Sequence, residues 1–482
     1  MGFRKTAISG IRWTSVSSVS VAVIKLVQFA VLAHYLSPRD FGLMAIVMTL
    51  IGFSALFIDL GISAAIVHKQ DINEVELSSL YWLNMLVSIV LFLVVVGIAP
   101  LAASFYEEPE LIAMLRWLGL TFIISGIGNQ FTVLLQKKLK FKELSIMHVL
   151  SSATGFVVAL YMSIEGFGVY SLVAAAIVDA LIVTTLSLFL GFRLHRPRMV
   201  FNLSQIKPMI SFGLFQMGER SVNYLNGQFD ILLIGKLFGP EVLGVYSIAK
   251  NISNKPYQII NPILNKVTFP IMSKVQDDDS RLRKIYLSAI DYLCSVNFPI
   301  YILIIMLSGG IILTFFGDRW TGAIVILQIL SGYRMFTSFG NPIGSLQLAK
   351  GRADLGFYWN FALFLFIPVV IFIGSFWGLV GVASSLLLLQ MILFFPAWYF
   401  LVGPLAKVGI REYSFTVMRP FVIAFLGGLL GFLIDSVIDV DWFSLDVIIY
   451  GGTMVLVGYF LNKKYNTDFI QVLFDFMSNK KE

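Results

Sequence analysis

Five basic side chains in the middle of long apolar segments are the residues of this sequence best suited to bind a ligand. They are Lys25, Arg220, Lys250, Lys255 and Arg334. A charge near the centre of a membrane costs about 3 kcal/mol on insertion scales, so such side chains usually face a polar interior. Cations between walls of low dielectric constant also attract anions. The five residues therefore predict a water-filled, net cationic cavity that binds an anionic substrate.

Acidic side chains are fewer in these segments. Asp179, Glu219 and Asp230 could each exchange a proton or bind a cation, which makes them candidates for ion coupling. A second interpretation stays open for each charge of this set. The long basic side chains could extend to a membrane surface, and opposite charges could form structural ion pairs.

Motifs for catalysis and for metal binding are missing from the sequence. It has no HExxH motif and no Walker A loop, and its four histidines are scattered. We therefore predict no catalytic residue, no metal site, no cofactor and no enzyme activity. The single cysteine, Cys294, excludes an intrachain disulfide. The net charge of +7 does not indicate a nucleic-acid partner, because the basic residues lie next to the ends of apolar segments.

The elements that must position these charges are membrane-spanning helices. Of the 482 residues, 58% are hydrophobic and 13% are charged, about half the charged share of a soluble protein. We predict an all-α integral membrane protein with about 14 transmembrane helices, since an apolar helix of about 20 residues crosses a bilayer. The predicted spans are residues 12–36, 40–66, 78–100, 110–135, 144–164, 168–190, 208–234, 241–264, 286–316, 322–348, 355–374, 377–402, 418–435 and 445–462.

The basic residues also predict how these spans are oriented. If the N-terminus is cytoplasmic, 26 of the 35 Lys and Arg residues lie on the cytoplasmic side, and only Arg39, Lys236 and Arg319 lie in external loops. Cytoplasmic loops of membrane proteins carry an excess of Lys and Arg. We therefore predict a multi-pass protein with both termini in the cytoplasm.

An internal repeat divides the chain. The stretches HYLSPRDFGLMAI and KLFGPEVLGVYSI match at an offset of 202 residues, so that Pro38 corresponds to Pro240 and Gly42 to Gly244. Each copy holds six spans, an arrangement found in duplicated transporters. We predict two pseudo-symmetric six-helix lobes around a central cavity, plus two C-terminal helices. The predicted domains are an N-lobe at 1–200, a C-lobe at 201–403, and spans thirteen and fourteen with a cytoplasmic tail at 404–482.

The two matched prolines are predicted to lie at external corners of the two lobes. Duplicated transporters commonly open and close by rocking one repeat against the other. We expect the corners to approach each other when the cavity faces the cytoplasm. Arg39 and Glu241 occupy matching positions and could then form an ion pair.

Several stretches resemble a known family. They include LAHYLSPRDFGLMAIV, LFIDLGISAAIVHKQDINEVELSSLYWLN, NPILNKVTFPIMSKVQDD and GNPIGSLQLAKGRADLGFYWN. Together they resemble the polysaccharide-transporter branch (Wzx-type, similar to colanic-acid exporters) of the multidrug/oligosaccharidyl-lipid/polysaccharide flippase superfamily. The resemblance covers the first twelve predicted spans. One departure is Lys250, which stands where the resemblance leads us to expect an aromatic residue.

The resemblance implies two six-helix lobes in a V around a central cavity, lined largely by spans one, two, seven and eight. It implies a flippase that moves undecaprenyl-pyrophosphate-linked oligosaccharides from the cytoplasmic to the outer leaflet of the bacterial inner membrane, for surface polysaccharide biosynthesis. It also implies coupling to a proton or sodium ion gradient. The implied partners are the lipid bilayer and the polysaccharide polymerase machinery.

A flippase is favoured over two other classes of protein. An ion-coupled multidrug or small-molecule antiporter of the same superfamily is the alternative, but a cavity for cationic drugs should be acidic, and basic side chains predominate here. A membrane polymerase or glycosyltransferase would need a sizeable polar loop with catalytic carboxylates or histidines. The predicted external loops are too short for that.

Overall fold

The computed structural model describes residues 3–58, 66, 69, 72–438 and 443–462. Within these ranges the chain forms helices joined by short turns, with no β-strand. Residue contacts divide the chain into two compact units, Met1–Gly244 and Val245–Glu482. The predicted all-α fold is confirmed, whereas the three predicted domains at 1–200, 201–403 and 404–482 stay a prediction.

The helices of the first unit are long, and two of them begin at a capping box. Ser37 precedes α2 and exchanges hydrogen bonds with Asp40, and Asn73 does the same with Glu76 at the start of α3. Such boxes satisfy amides that the first helical turn leaves without a partner. The helices are α1 Phe3–Leu32, α2 Pro38–Ala55, α3 Glu74–Tyr106, α4 Glu110–Lys137, α5 Phe141–Ile164, α6 Tyr170–Gly191 and α7 at 203–238.

The second unit contains most of α8 and all later helices of the described residues. Its helices are α8 at 240–274, α9 Asp279–Met306, α10 Ser308–Phe315, α11 Ala323–Ser338, α12 Pro342–Ala349, α13 Ala353–Ser375, α14 Gly378–Ile392, α15 Phe394–Ala397, α16 Gly403–Ala406, α17 Ile410–Ile438 and α18 Phe443–Asn462. A π-helical turn, Trp398–Val402, joins α15 to α16. A 3₁₀ turn, Asp318–Trp320, follows α10.

A single glycine separates α7 from α8. The segment Leu203–Lys274 is helical throughout except at Gly239, whose φ is 81° and ψ is 174°. Residues with a side chain rarely adopt this conformation, so glycine is required here. Pro240 follows, and proline suits the first turn of a helix because that turn needs no donor from its backbone nitrogen. The sequence therefore ends one span and starts the next within two residues.

The number of spans agrees with the prediction. Twelve segments of the described residues are long and apolar enough to cross a membrane, and one of them contains both α7 and α8. Separating these two at Gly239 and adding the shorter apolar helix α18 gives 14 helices, as the sequence predicts. The predicted second span extends into residues 59–65, and the predicted cytoplasmic tail follows residue 462. Both stretches lie outside the described residues.

One predicted boundary is wrong. The sequence predicts a loop at 265–284, but α8 continues to Lys274 and only residues 275–278 separate it from α9. The polar residues that suggested a loop belong to α8 instead. One of them, Thr268, is buried at 1% exposure, so it packs against other helices. The predicted span 322–348 agrees with the apolar segment Ala323–Ala349, within which α12 begins at Pro342.

The two corners of the repeat are in contact within the first unit. A Cβ atom built on Gly42 would lie 1.8 Å from the carbonyl oxygen of Pro240, and one built on Gly244 would lie 1.8 Å from that of Pro38. Each corner therefore contacts the other through the same pair of positions, which is the pattern that a twofold axis produces. Only glycine permits so close an approach of two backbones.

The helices after the predicted repeat pack through glycines. On α17, Gly427 lies against Met454 of α18, and Gly431 lies against Tyr450 and Thr453. Small residues let two helices approach closely, and in a membrane this packing is a main source of helix association. α17 and α18 thus form a close pair within the second unit.

Candidate substrate-binding site

In the first unit the structure joins a predicted cavity cation to a predicted coupling acid. Lys25 of α1 donates a hydrogen bond to Asp179 of α6, with 2.9 Å between Nζ and Oδ2. The two side chains are 36% and 27% exposed, so the ion pair is partly accessible. The other oxygen, Asp179 Oδ1, is buried and has no hydrogen-bond partner in the described part of the chain. The charge of Lys25 is therefore largely neutralised.

The remaining predicted residues of the first unit lie on α7. Arg220 is exposed there, and Asp230 is half-buried and accepts a hydrogen bond from the amide of Ile231 at 2.8 Å. The side chain of Glu219 lies outside the described residues. Between these positions, the Tyr224 hydroxyl donates to the carbonyl oxygen of Thr49 at 3.0 Å and so joins α7 to α2.

In the second unit Arg334 of α11 lies between two aromatic rings. Its Cζ atom is 5.6 Å from the ring centroid of Tyr257 and 5.1 Å from that of Tyr333. Cations within about 6 Å of a ring centroid are attracted to the aromatic face. No carboxylate among the described residues lies within ion-pair distance of Arg334. The guanidinium is thus held by rings but keeps its net charge.

The two predicted lysines of the second unit lie on α8 and differ in their surroundings. Lys250 is only 7% exposed. Lys255 is half-buried and, like Arg334, forms no ion pair with any described residue. The unit therefore carries two cations in apolar helices without compensating carboxylates. Since an isolated charge is costly there, each of these cations is suited to receive an anion.

Two chains of amide hydrogen bonds start from the same face of α8, and the first of them reaches Tyr257, one of the rings that contact Arg334. In the first chain, Asn265 donates to Asn341, whose amide donates to the Tyr257 hydroxyl at 2.9 Å. In the second, Asn297 of α9 donates to Asn261 at 3.2 Å. The Asn261 amide then donates to the backbone carbonyl oxygen of Ser338 at 3.0 Å.

These amides were not among the residues predicted to form the site. A signal for them exists in the sequence, because Tyr257, Asn261 and Asn265 recur every four residues and so share one face of α8. The partners on α9 and α12 have no such signal. A pattern along one helix does not show which distant helix it will face.

A second cluster of charges lies where α3 meets α4, α2 and α7, at the predicted external end. Lys236 donates to Glu107 at 2.9 Å, and this hydrogen bond holds the pKa of the Glu107 carboxyl below its ordinary value of 4.5. Arg39 donates to Glu110 at 3.0 Å and also to Glu108. The predicted pairing of Arg39 with Glu241 is therefore wrong. The two glutamates adjoin the start of α4 and already occupy the guanidinium.

The described residues include no group of three or more His, Cys, Asp or Glu side chains arranged to hold a metal ion. Of the eight candidate residues, Lys25 and Asp179 form a neutralised pair in the first unit, and Lys255 and Arg334 are cations without a described carboxylate partner in the second.

Comparisons with known proteins show which family this chain belongs to and which fold it shares. A profile described as polysaccharide biosynthesis protein matches residues 31–325. The chain is 30% identical over 425 residues to the lipopolysaccharide biosynthesis protein WzxC of Escherichia coli, across 88% of this chain and 86% of that protein. It is 33% identical over 432 residues to the teichuronic acid biosynthesis protein TuaB of Bacillus subtilis, across 89% of each chain.

Among solved structures, the lipid II flippase MurJ in an inward closed conformation has the same fold. The TM-score is 0.75 over 94% of this chain and 99% of that chain, at 14% sequence identity. Together with the apolar helices, this likeness identifies a multi-pass membrane protein of that architecture.

Proposed function

This chain belongs to the family of polysaccharide biosynthesis proteins, as the resemblance predicted, and we propose that it is a flippase for undecaprenyl-pyrophosphate-linked oligosaccharides. It would move them from the cytoplasmic to the outer leaflet of the bacterial inner membrane. The observation that carries this proposal is the pair of uncompensated cations, Lys255 and Arg334, in apolar helices of the second unit. The pyrophosphate of the lipid carrier supplies the matching negative charge.

Arg334 is the residue best suited to bind two oxygens of one phosphate group. A guanidinium presents a planar fork of donors that matches two phosphate oxygens at once, which a lysine ammonium cannot do. The rings of Tyr257 and Tyr333 leave its donors available while they stabilise its charge. Lys255 adds charge without that geometric demand.

The pair of Lys25 and Asp179 is the proposed site of ion coupling. A proton on Asp179 removes the charge that holds Lys25, so uptake of a proton breaks the pair. Lys25 then becomes available to an anion. Asp179→Asn imitates the protonated acid at every pH, and it should make transport independent of a proton gradient while Lys25 remains in place.

The proposed orientation places both termini in the cytoplasm, following the excess of Lys and Arg in the predicted cytoplasmic loops. In this orientation the contact of Gly42 with Pro240, and of Gly244 with Pro38, closes the external side. The ion pair of Lys236 with Glu107 lies at the same end. Transport requires these contacts to separate, which is the rocking motion expected of a duplicated transporter.

Binding of a short prenyl pyrophosphate, geranyl pyrophosphate, to the purified protein in lipid nanodiscs tests this proposal. Arg334→Ala should weaken binding about 10- to 100-fold, the range for loss of a hydrogen bond to a charged group. Arg334→Lys should recover only part of the loss, because the two-point contact is missing. The same variants should block export of surface polysaccharide in cells that depend on this protein.

The matched control is Arg319→Ala, which removes an exposed arginine from the turn after α10 in the same unit. It should leave binding and export unchanged. Full binding by a double variant, Arg334→Ala with Lys255→Met, would overturn the proposal. Full recovery by Arg334→Lys would show that total charge, rather than the guanidinium fork, holds the anion.

A further inference from the structure

The second unit holds a cavity that the proposed anion site does not use. It has a volume of about 210 Å³ and lies between α12, α13, α14 and α17. Neither Lys255 nor Arg334 lines it. Its wall includes the side chains of Gln347, Trp359, Asn360, Gln390, Phe394 and Tyr413.

Two carboxamides face this cavity without a partner. Gln347 is 7% exposed, and Gln390 lies within the apolar helix α14. Within the ranges that the structure describes, neither side chain forms a hydrogen bond. Gln390 is half-buried. An amide without a partner at such a site loses part of the hydrogen bonding that it would have in water. Each amide has both donors and an acceptor to offer, so a ligand with hydroxyl groups, which both donate and accept, would satisfy them.

The rest of the lining disfavours a charged ligand and favours a ring that presents a face of C–H groups. No charged side chain among the described residues lines the cavity. Aromatic rings form much of the wall: Trp359 contributes its indole, and Phe394 stacks on Tyr413 with 5.0 Å between the ring centroids. Aromatic faces pack well against the C–H groups of a ring, and a phosphate here would remain uncompensated.

The volume limits the ligand to one ring. Pockets for drug-sized ligands measure about 300–1,000 Å³, so this cavity is too small for an oligosaccharide repeat. Part of its space lies beside Gly344 of α12, where an added Cβ atom would meet no atom within 4 Å. Gly344 is exposed and lines the cavity, so a leucine here has room for its first side-chain carbon and would narrow the cavity from this wall.

We propose that this cavity binds one neutral, hydroxyl-rich ring, which is a single sugar residue. The inference rests on the proposed function in one respect, since a lipid-linked oligosaccharide is one source of such a ring. The headgroup of a neutral glycolipid is the other source. Gln347 and Gln390 bond its hydroxyl groups, and Trp359 packs against its face.

The test uses the full-length protein in lipid nanodiscs and saturation-transfer NMR with D-glucose, D-galactose and N-acetyl-D-glucosamine. At least one of these neutral sugars should bind to the unmodified protein, and D-glucuronate should not bind. Gln390→Met should weaken binding at least tenfold, yet its melting temperature should be equal or higher, because the change removes an amide without a partner. Gly344→Leu should abolish binding by narrowing the cavity.

The matched control is Gly452→Leu, which adds the same side chain to an exposed position of α18 where an added Cβ also meets no atom. It should leave sugar binding unchanged. Nanodiscs that contain monoglucosyl diacylglycerol distinguish the two sources. Binding of this glycolipid without binding of free sugars assigns the site to a lipid headgroup and still supports a neutral-ring site.

Two results would overturn the proposal: no binding of any neutral sugar or of the glycolipid, or binding that Gly344→Leu leaves unchanged. The proposed flippase function is tested by a different measurement, the binding of geranyl pyrophosphate. If Arg334→Ala retained full binding of geranyl pyrophosphate while Gly344→Leu lost sugar binding, only the anion site would be wrong.

Discussion

Lys25 and Asp179 lie 154 residues apart in the sequence and meet inside the first unit. Each side chain alone would carry a charge into an apolar helix bundle, where desolvation is costly. Together they cancel, and the 2.9 Å contact keeps both in place. Their partial exposure leaves the pair open to exchange with water, which a coupling site requires.

A double-mutant cycle tests whether these two residues act as a pair. Lys25→Ala and Asp179→Asn should each destabilise the protein by about 1–3 kcal/mol, less than a fully buried pair because both side chains are partly exposed. The double variant should be more stable than the sum of the single changes implies, because no charge is left without a partner. Thermal unfolding of the purified protein measures this. Simple additivity would show that the pair contributes nothing.

The ion pair of Glu107 with Lys236 predicts a weak dependence on pH. The hydrogen bond from Lys236 lowers the pKa of Glu107 below 4.5 in the closed arrangement. This contribution to the closed arrangement is therefore present in full at pH values above 4.5 and is lost below 4.5, as the pH falls through the lowered pKa of Glu107. The effect should be a few-fold at most, since exposed ion pairs are weak.

Spin labels at the exposed residues Tyr35 and Leu237 can follow this change. Acidification should increase the population with a long distance between the labels. Glu107→Gln lacks the titrating group and should show that population at every pH. A response to pH that survives in Glu107→Gln would assign it to another group.

Part of the site could be predicted from single residues, and part could not. The position of Arg334 in an apolar segment was sufficient to predict a cation there, and the structure places it on the apolar helix α11 with no carboxylate partner among the described residues. Lys25 shows the limit of this reasoning. The sequence shows that Lys25 carries a charge within an apolar segment. That Asp179 neutralises it depends on α1 lying beside α6, and the hydropathy of the sequence does not show which helices are neighbours.

At the scale of helices, the corner between α7 and α8 has a counterpart before α2. Gly239 ends one helix with a positive φ, and Pro240 begins the next. Ser37 and Pro38 begin α2 in a related way, with a capping box. The contact between the two corners depends on a glycine four residues after each proline.

Replacing one of these glycines should separate the corners. Gly42→Ala would place a methyl group against the Pro240 carbonyl, so the two backbones must part by roughly 1 Å or more. The labels at Tyr35 and Leu237, in a background where the buried Cys294 is changed to Ala, should report a longer distance. Export should fall because the closed arrangement no longer forms.

The control for this prediction is Gly97→Ala in α3, where an added Cβ meets no atom within 4 Å. It should leave the label distance unchanged and stabilise the helix by about 1 kcal/mol, the difference in helix propensity. A Gly42→Ala protein with an unchanged label distance would contradict the reciprocal contact of the corners.

Apolar length predicted the number of helices well, because each span must satisfy its backbone hydrogen bonds within a bilayer. It failed at one boundary, where polar residues belong to a helix. Thr268 and Asn265 are typical of a loop by composition, yet they lie on α8. The predicted ion pair of Arg39 with Glu241 was wrong for a related reason. Its partners Glu108 and Glu110 are distant in sequence, and the repeat pattern suggested a different acid.

At the scale of the whole molecule, the fold is shared with the flippase MurJ at 14% sequence identity. So distant a likeness fixes the architecture and leaves the substrate to local chemistry. That chemistry differs between the two units of this chain. Among the described residues, the first holds a neutralised ion pair, and the second holds cations without carboxylate partners together with a cavity that no charged side chain lines.

The leaflet in which the lipid-linked oligosaccharide resides is the most direct test of the proposed function. In spheroplasts from cells depleted of this protein, the glycan should be made in normal amounts but remain inaccessible to an impermeant lectin added outside. Restoring the protein should make it accessible, whereas the Arg334→Ala variant should not. An externally accessible glycan in depleted cells, or a failure to make the lipid-linked glycan at all, would contradict a flippase.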